Sequence, residues 1–159
     1  PDVQFIWQTG KIYIDSIREA ITTATGEPVR HPHIKDIPNL YVTDFIKDMA
    51  HAYEAADLII SRAGAGSISE FCLLHKPVIL VPSPNVAEDH QTKNALALVN
   101  KDAAIYVKDV EAKEMLLPVA LETIADAGQL KSLSEHIAKL ALPDSAAMIA
   151  KEVLKLIKG

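Results

Sequence analysis

The chain has 159 residues, 49% hydrophobic and 23% charged, the make-up of an ordinary globular domain rather than of a disordered tail. Its 16 Lys and Arg against 21 Asp and Glu leave a net charge of −5, which argues against a nucleic-acid-binding module with a basic face. A single cysteine, Cys72, excludes a disulfide framework and a cysteine zinc site, and no apolar run approaches the ~18 residues of a membrane span.

Residues 3–7 read as a strand closed by Thr9-Gly10. Residues 15–25 read as a helix, with Ile14, Ile17, Ala20, Ile21 and Ala24 at three- and four-residue spacing. Pro28, Pro32 and Pro38 punctuate a loop that leads into the short strand Leu40-Tyr41-Val42, and Asp48 is placed to cap a helix over 49–56. Residues 58–61 form a strand, Arg62-Ala63-Gly64-Ala65-Gly66 a glycine-bearing turn, and 67–74 a helix stopped by Lys76-Pro77. Val78-Ile79-Leu80-Val81 is apolar throughout, as a parallel strand covered on both faces should be. A loop over 82–89 precedes a helix over 90–100, and 104–107 is a further strand. The rest is helical, over 111–127, 129–140 and 145–157, the last helix showing Ile149, Val153 and Leu156 on one face. Strands alternating with helices predict an α/β fold with a doubly wound, Rossmann-like parallel sheet. Without repeat or linker, residues 1–159 are expected to form one domain. Because the chain starts at Pro1 rather than Met, it is expected to be a piece of a longer polypeptide.

In open parallel sheets ligands bind beyond the carboxyl ends of the strands. Gly64 and Gly66 lie at such an end, where they let the backbone approach a ligand with no Cβ in the way. The following helix offers free N–H groups and a partial positive charge to a phosphate, with Arg62 as a charged fork beside it. The turn is neither G-x-G-x-x-G nor a Walker loop, and glycine needed for packing alone is the competing explanation. Glu70 stands three residues after Ser67. The two form either a capping box or a carboxylate for ribose hydroxyls one turn beyond a phosphate-binding helix start. Glu88, Asp89, His90, Gln91 and Asn94 crowd the next strand-to-helix loop. Asp89 reads as a helix cap; Gln91 and Asn94 share a helical face and offer the donors and acceptors that sugar hydroxyls need.

Other candidates are weaker. His31-Pro32-His33 lacks a second ligand pair and reads as a solvated loop, and Cys72, without a paired His, as a small buried residue. His51, His75 and His136 carry no signal, Trp7 and Tyr13 are expected to pack the sheet, and there is no Gly-x-Ser-x-Gly elbow.

The run ADLIISRAGAGSISE over 56–70, then Lys76-Pro77-Val78-Ile79-Leu80-Val81-Pro82 and His90-Gln91-Thr92-Lys93-Asn94-Ala95, resembles the nucleotide-sugar half of two-domain (GT-B) glycosyltransferases. More narrowly it resembles the MurG family of N-acetylglucosaminyltransferases, which convert lipid I to lipid II in peptidoglycan synthesis. Asp44-Phe45-Ile46-Lys47-Asp48-Met49 and Trp7-Gln8-Thr9-Gly10-Lys11 fit the same family, so the similarity spans the chain. The resemblance implies that Ile46 contacts uracil through its backbone, that Gly64, Ala65, Gly66 and Ser67 face the diphosphate, and that Glu70 holds the ribose. It also implies that Gln91, with His90 or Asn94, reads the N-acetylglucosamine.

The family's glycine-rich N-terminal motif with its His, and its Gly-Gly-Ser-type loop, are absent from these residues. The chain is therefore expected to be a donor-domain fragment, inactive alone and without a catalytic base, with Arg62 as stabiliser of the departing diphosphate. UDP-N-acetylglucosamine is the expected ligand, and lipid I is met only through the missing N-terminal domain. The implied reaction is inverting transfer, metal-independent because no Asp-x-Asp cluster occurs, and without a cofactor. The implied location is cytoplasmic, on the inner face of the inner membrane for a full enzyme. The alternatives are a UDP-N-acetylglucosamine 2-epimerase, whose adjacent carboxylate pair is missing because Phe71 follows Glu70, and a non-catalytic nucleotide-sugar-binding subunit.

Overall fold

The computed structural model describes residues 3–26, 33–34, 37–84 and 89–157. The chain divides into two compact units, residues 1–55 and 56–159. Parallel strands and helices alternate in each, the α/β arrangement that the sequence pattern predicts.

The first unit holds β1 (Phe5–Gln8), α1 (Ile14–Thr25), β2 (His33–Ile34), β3 (Ile37–Thr43) and α2 (Met49–Ala55). β1 runs parallel to β3, from Phe5 opposite Leu40 to Gln8 opposite Thr43, and β2 lies antiparallel on the other side of β3. The two-residue β2 falls where the sequence predicts only a loop; Pro28, His31 and Pro32 of that loop lie outside the described residues. Ile14 and Val42 form the buried core of the unit, with Ile17, Ile21 and Leu40 against them, so the three- and four-residue spacing of α1 is its packing face. α1 stops at Gly26, whose φ of 75° is the left-handed conformation that glycine adopts freely. Asp48 caps α2 as expected, its Oδ1 accepting from the N–H of His51 at 3.2 Å.

The second unit holds β4 (Ile59–Ser61), α3 (Ala65–Leu74), β5 (Val78–Leu80), α4 (His90–Val99), β6 (Ile105–Tyr106), a 3-10 turn at Asp109–Glu111, α5 (Ala112–Ala125), α6 (Ala127–Ala138) and α7 (Ser145–Ile157). The sheet is parallel in the order β4-β5-β6, with Ile60 opposite Ile79 and Leu80 opposite Tyr106. Val78, Ile79 and Leu80 of the central strand are each 0% exposed, which explains its unbroken apolar run. Ile79, Val81, Val107 and Ala120 make one cluster with Leu58, Ile105, Leu116 and Val119, and α6 packs on α3 and α5.

α3 and α4 end alike. His75 (φ 54°) and Asp102 (φ 53°) are left-handed, and the chain folds back through Lys76 N–H to Phe71 O (3.1 Å) and Ala103 N–H to Leu98 O (3.0 Å). α7 keeps Met148, Ile149, Val153, Leu154 and Leu156 exposed.

Phe71, 1% exposed on α3, is the largest fully buried side chain. Phe71→Ala is expected to cost about 3–5 kcal/mol, read as a lowered urea midpoint with an unchanged slope. Cys72 is 5% exposed, and burial pushes its thiol above the usual range. Less thiolate is then present at any given pH. Iodoacetamide at pH 8 should modify Cys72 only as fast as the chain unfolds, with full modification in denaturant.

Candidate functional site

The carboxyl edge of the second sheet is organised around Ala63, which is 0% exposed between β4 and α3. A buried residue must satisfy both its backbone polar groups, and an alanine side chain supplies nothing for the purpose. Two side chains of α4 do so instead. The Ala63 N–H donates to Gln91 Oε1 at 3.2 Å, and the Ala63 carbonyl accepts from Asn94 Nδ2 at 3.1 Å. Gln91 Oε1 also accepts from the N–H of Ser83, just past β5, at 2.9 Å. Gln91 and Asn94 thus lie on one helical face as predicted, and that face meets the backbone of two neighbouring loops.

From this fixed point the chain enters α3. Gly64 is the N-cap (φ −69°, ψ 139°), and the first intrahelical bond runs from Ile68 N–H to Gly64 O at 3.0 Å. The N–H groups of Ala65, Gly66 and Ser67 precede that bond, where a helix has donors to offer. A Cβ built on Gly64 or Gly66 meets nothing within 4 Å, and neither residue has a positive φ. Packing therefore does not require these glycines; the space before the turn is open. α3 starts two residues earlier than predicted because Gly64 serves as N-cap without a side-chain bond. Ser67 is then the third helical residue and not the N-cap, so the capping-box alternative for Ser67 and Glu70 does not hold. Glu70 is exposed one turn on, on the face of Gly66 and Ser67.

Arg62 crosses the same edge. Its Nη1 donates to the carbonyls of Val81 (3.1 Å) and Pro82 (3.4 Å) and pairs with the carboxylate of Asp109, in the turn after β6. The expected anion fork is thus already held on one nitrogen. Sequence reasoning missed Asp109, although a carboxylate just past a strand end was its one available signal. Asp89 stands at the head of α4 in the left-handed region (φ 55°) with no side-chain bond to the helix, so it is not the ordinary cap expected of it. His90 is exposed at the start of α4, and Glu88 lies outside the described residues. A shallow hollow of about 400 Å³ opens at the opposite edge, lined by Asp57, His75, Lys76 and Lys131 among others. It precedes the strands, away from the open space before α3.

In the first unit, the Ile46 N–H donates to Gln8 Oε1 at 2.8 Å. The ladder of β1 and β3 continues beyond the strands through Thr9 N–H to Thr43 O (2.9 Å) and Gly10 N–H to Asp44 O (3.0 Å). Trp7 and Tyr13 do not pack the sheet as expected: they are 43% and 62% exposed, because the core here is supplied by α1 and β3.

Comparison with known proteins places these features in a family. The C-terminal domain of glycosyltransferase family 28 matches residues 2–152. A Bacteroides fragilis protein named UDP-N-acetylglucosamine--N-acetylmuramyl-(pentapeptide) pyrophosphoryl-undecaprenol N-acetylglucosamine transferase is 76% identical over 155 residues, covering 98% of this chain and 38% of that protein. Its namesake from Bacteroides thetaiotaomicron is 71% identical, covering 99% of this chain and 40% of that protein. The crystal structure of Acinetobacter baumannii MurG superposes with a TM-score of 0.75 at 26% identity, over 94% of this chain and 42% of that one. The chain thus spans about two fifths of the length of the relatives it matches. With the match running through both units, the chain belongs to the glycosyltransferase family 28 C-terminal domain family.

Proposed function

We propose that residues 1–159 act as the donor-binding domain of an inverting glycosyltransferase that moves N-acetylglucosamine from UDP-N-acetylglucosamine to the lipid-linked muramyl peptide, converting lipid I to lipid II. The open row of helix-start N–H groups before Gly64 and Gly66, with Glu70 exposed one turn on, is the observation that carries this reading. A carboxylate and an anion-binding helix start at that spacing suit the ribose and phosphates of one nucleotide. The N–H groups of Gly64, Ala65, Gly66 and Ser67 take the diphosphate, with Arg62 contributing through the nitrogens not held by Asp109, and Glu70 takes the ribose. Ile46 contacts uracil through its backbone, and since its N–H is engaged by Gln8, the carbonyl is the group on offer. Gln91, with His90 or Asn94, contacts the sugar; because Gln91 Oε1 already accepts two backbone bonds, its Nε2 is the donor.

In the reaction, a sugar hydroxyl of the acceptor attacks the anomeric carbon with inversion, and UDP leaves. Charge develops on the diphosphate as the glycosidic bond breaks, and the partial positive charge at the α3 start is fixed where it grows. The acceptor and the general base belong to the part of the relatives' length that this chain does not span. The work would be done at the cytoplasmic face of the inner membrane, with UDP-N-acetylglucosamine and lipid I as partners and no nucleic acid. No helix among the described residues is long and apolar enough to cross a membrane. The relatives' transferase names favour this reading over an epimerase.

Glu70→Ala tests the ribose assignment. Charged hydrogen bonds of this kind are worth about 1.5–3 kcal/mol, so UDP and UDP-N-acetylglucosamine should both bind roughly 10- to 150-fold more weakly by calorimetry. A lowered melting temperature with intact affinity would make Glu70 a helix-stabilising residue only. The 159-residue chain alone should transfer no radiolabelled N-acetylglucosamine to a lipid I analogue, since a base must lie within hydrogen-bond reach of its proton. It should still bind UDP at millimolar concentration, and ADP less well.

A further inference from the structure

We propose that Gln91 and Asn94 are positioning residues for the diphosphate: by clamping the backbone N–H and C=O of Ala63, one in each of the two peptide groups that flank its Cα, they set the direction in which the α3 helix start presents its N–H groups. The inference deepens the reading of this site given above and rests on it. Two backbone donors, from Ala63 and Ser83, converge on one terminal atom of Gln91, so that atom is the amide oxygen and the side-chain orientation is settled by chemistry. Asn94 must then donate to the Ala63 carbonyl, which it does at 3.1 Å. Ala63 is covered completely and directly precedes Gly64, the N-cap, so neither bond can be replaced by water without opening the turn. A change in the φ or ψ of Ala63 would re-aim the N–H groups that follow. Gln91 also reaches Ser83, so one side chain ties the turn after β4 to the loop after β5. A residue read from sequence as a sugar contact is, by geometry, also a support for the phosphate cradle.

The two roles separate by ligand. Gln91→Ala and Asn94→Ala should each weaken UDP by about tenfold, which is what one or two backbone hydrogen bonds are worth, and UDP-N-acetylglucosamine by at least as much, any excess being the sugar contact. Uridine, which lacks the phosphates, should bind as before when titrated into the chain and followed by amide chemical shifts. Because both substitutions act on the backbone of the same residue, the double variant should lose less than the product of the single losses. Loss confined to UDP-N-acetylglucosamine would overturn the proposal and leave only a sugar contact. Equal proportional loss of uridine and UDP would overturn it in favour of general loosening.

Hydrogen exchange supplies an arm that needs no nucleotide. The Ala63 amide should exchange faster in Gln91→Ala and stay protected in Gln91→Glu, whose carboxylate still accepts both N–H bonds. Unchanged protection in Gln91→Ala would refute the clamp. Should the unaltered chain bind no UDP, the donor-site reading falls and takes the ligand half of this proposal with it, while the exchange of Ala63 still decides whether the clamp exists.

Discussion

The backbone of one alanine, shut away from water, is the constraint on which the carboxyl edge of the second sheet depends. Leaving either polar group of Ala63 unmatched would cost about 1–3 kcal/mol, a large share of the stability of a small domain. The chain meets that demand with two amide side chains from a helix that begins 27 residues later, counting from Ala63 to His90. Helix α4 therefore cannot slide or rotate without unsatisfying the turn that starts α3. The positions of the first N–H groups of α3, and of Glu70 beyond them, are consequences of that single fixed residue.

Charge is arranged to the same end. Arg62 and Asp109 form a pair that is partly open to solvent, with the side chains 55% and 34% exposed, and such a pair adds little to stability on its own. Its effect is positional. Arg62 leaves the end of β4, touches the carbonyls just past β5, and meets a carboxylate just past β6, so three consecutive strand ends are held by one guanidinium. At the amino edge the ties are different. Lys76 Nζ donates to Ala56 O at 2.8 Å, tying together the segments that lead into β5 and β4, and Ser134 Oγ of α6 donates to His75 O at the end of α3 at 2.7 Å.

Much of this was legible in the residues. The unbroken apolar run of β5 announced a strand covered on both sides, and the spacing of Ile14, Ile17 and Ile21 announced the packing face of α1. Asp48 as a cap was visible because capping is local. What escaped was either too short or too distant. The two-residue β2 carries no periodicity, and Asp109 stands 47 residues from Arg62, so nothing near either residue signals their pairing. The start of α3 was misplaced because a glycine N-cap relies on its backbone conformation instead of a side-chain oxygen. For Gln91 and Asn94 the chemistry was read correctly as paired donors and acceptors, but their backbone partners become apparent only once α4 is packed against the turn.

The closing turns of α3 and α4 leave a reserve of stability that this sequence does not use. His75 and Asp102 each hold a left-handed backbone that a side chain disfavours by roughly 1 kcal/mol, and both helices stop there by the same fold-back of hydrogen bonds. Their carbonyls, which accept from Ser134 and from the His136 ring, are main-chain atoms and would survive the loss of either side chain. Both positions come just before a strand, at the edge opposite the open space in front of Gly64. Glycine at 75 and 102 is thus a route to a hardier scaffold whose binding edge is untouched, so the thermal limit of the chain can be engineered independently of what it recognises.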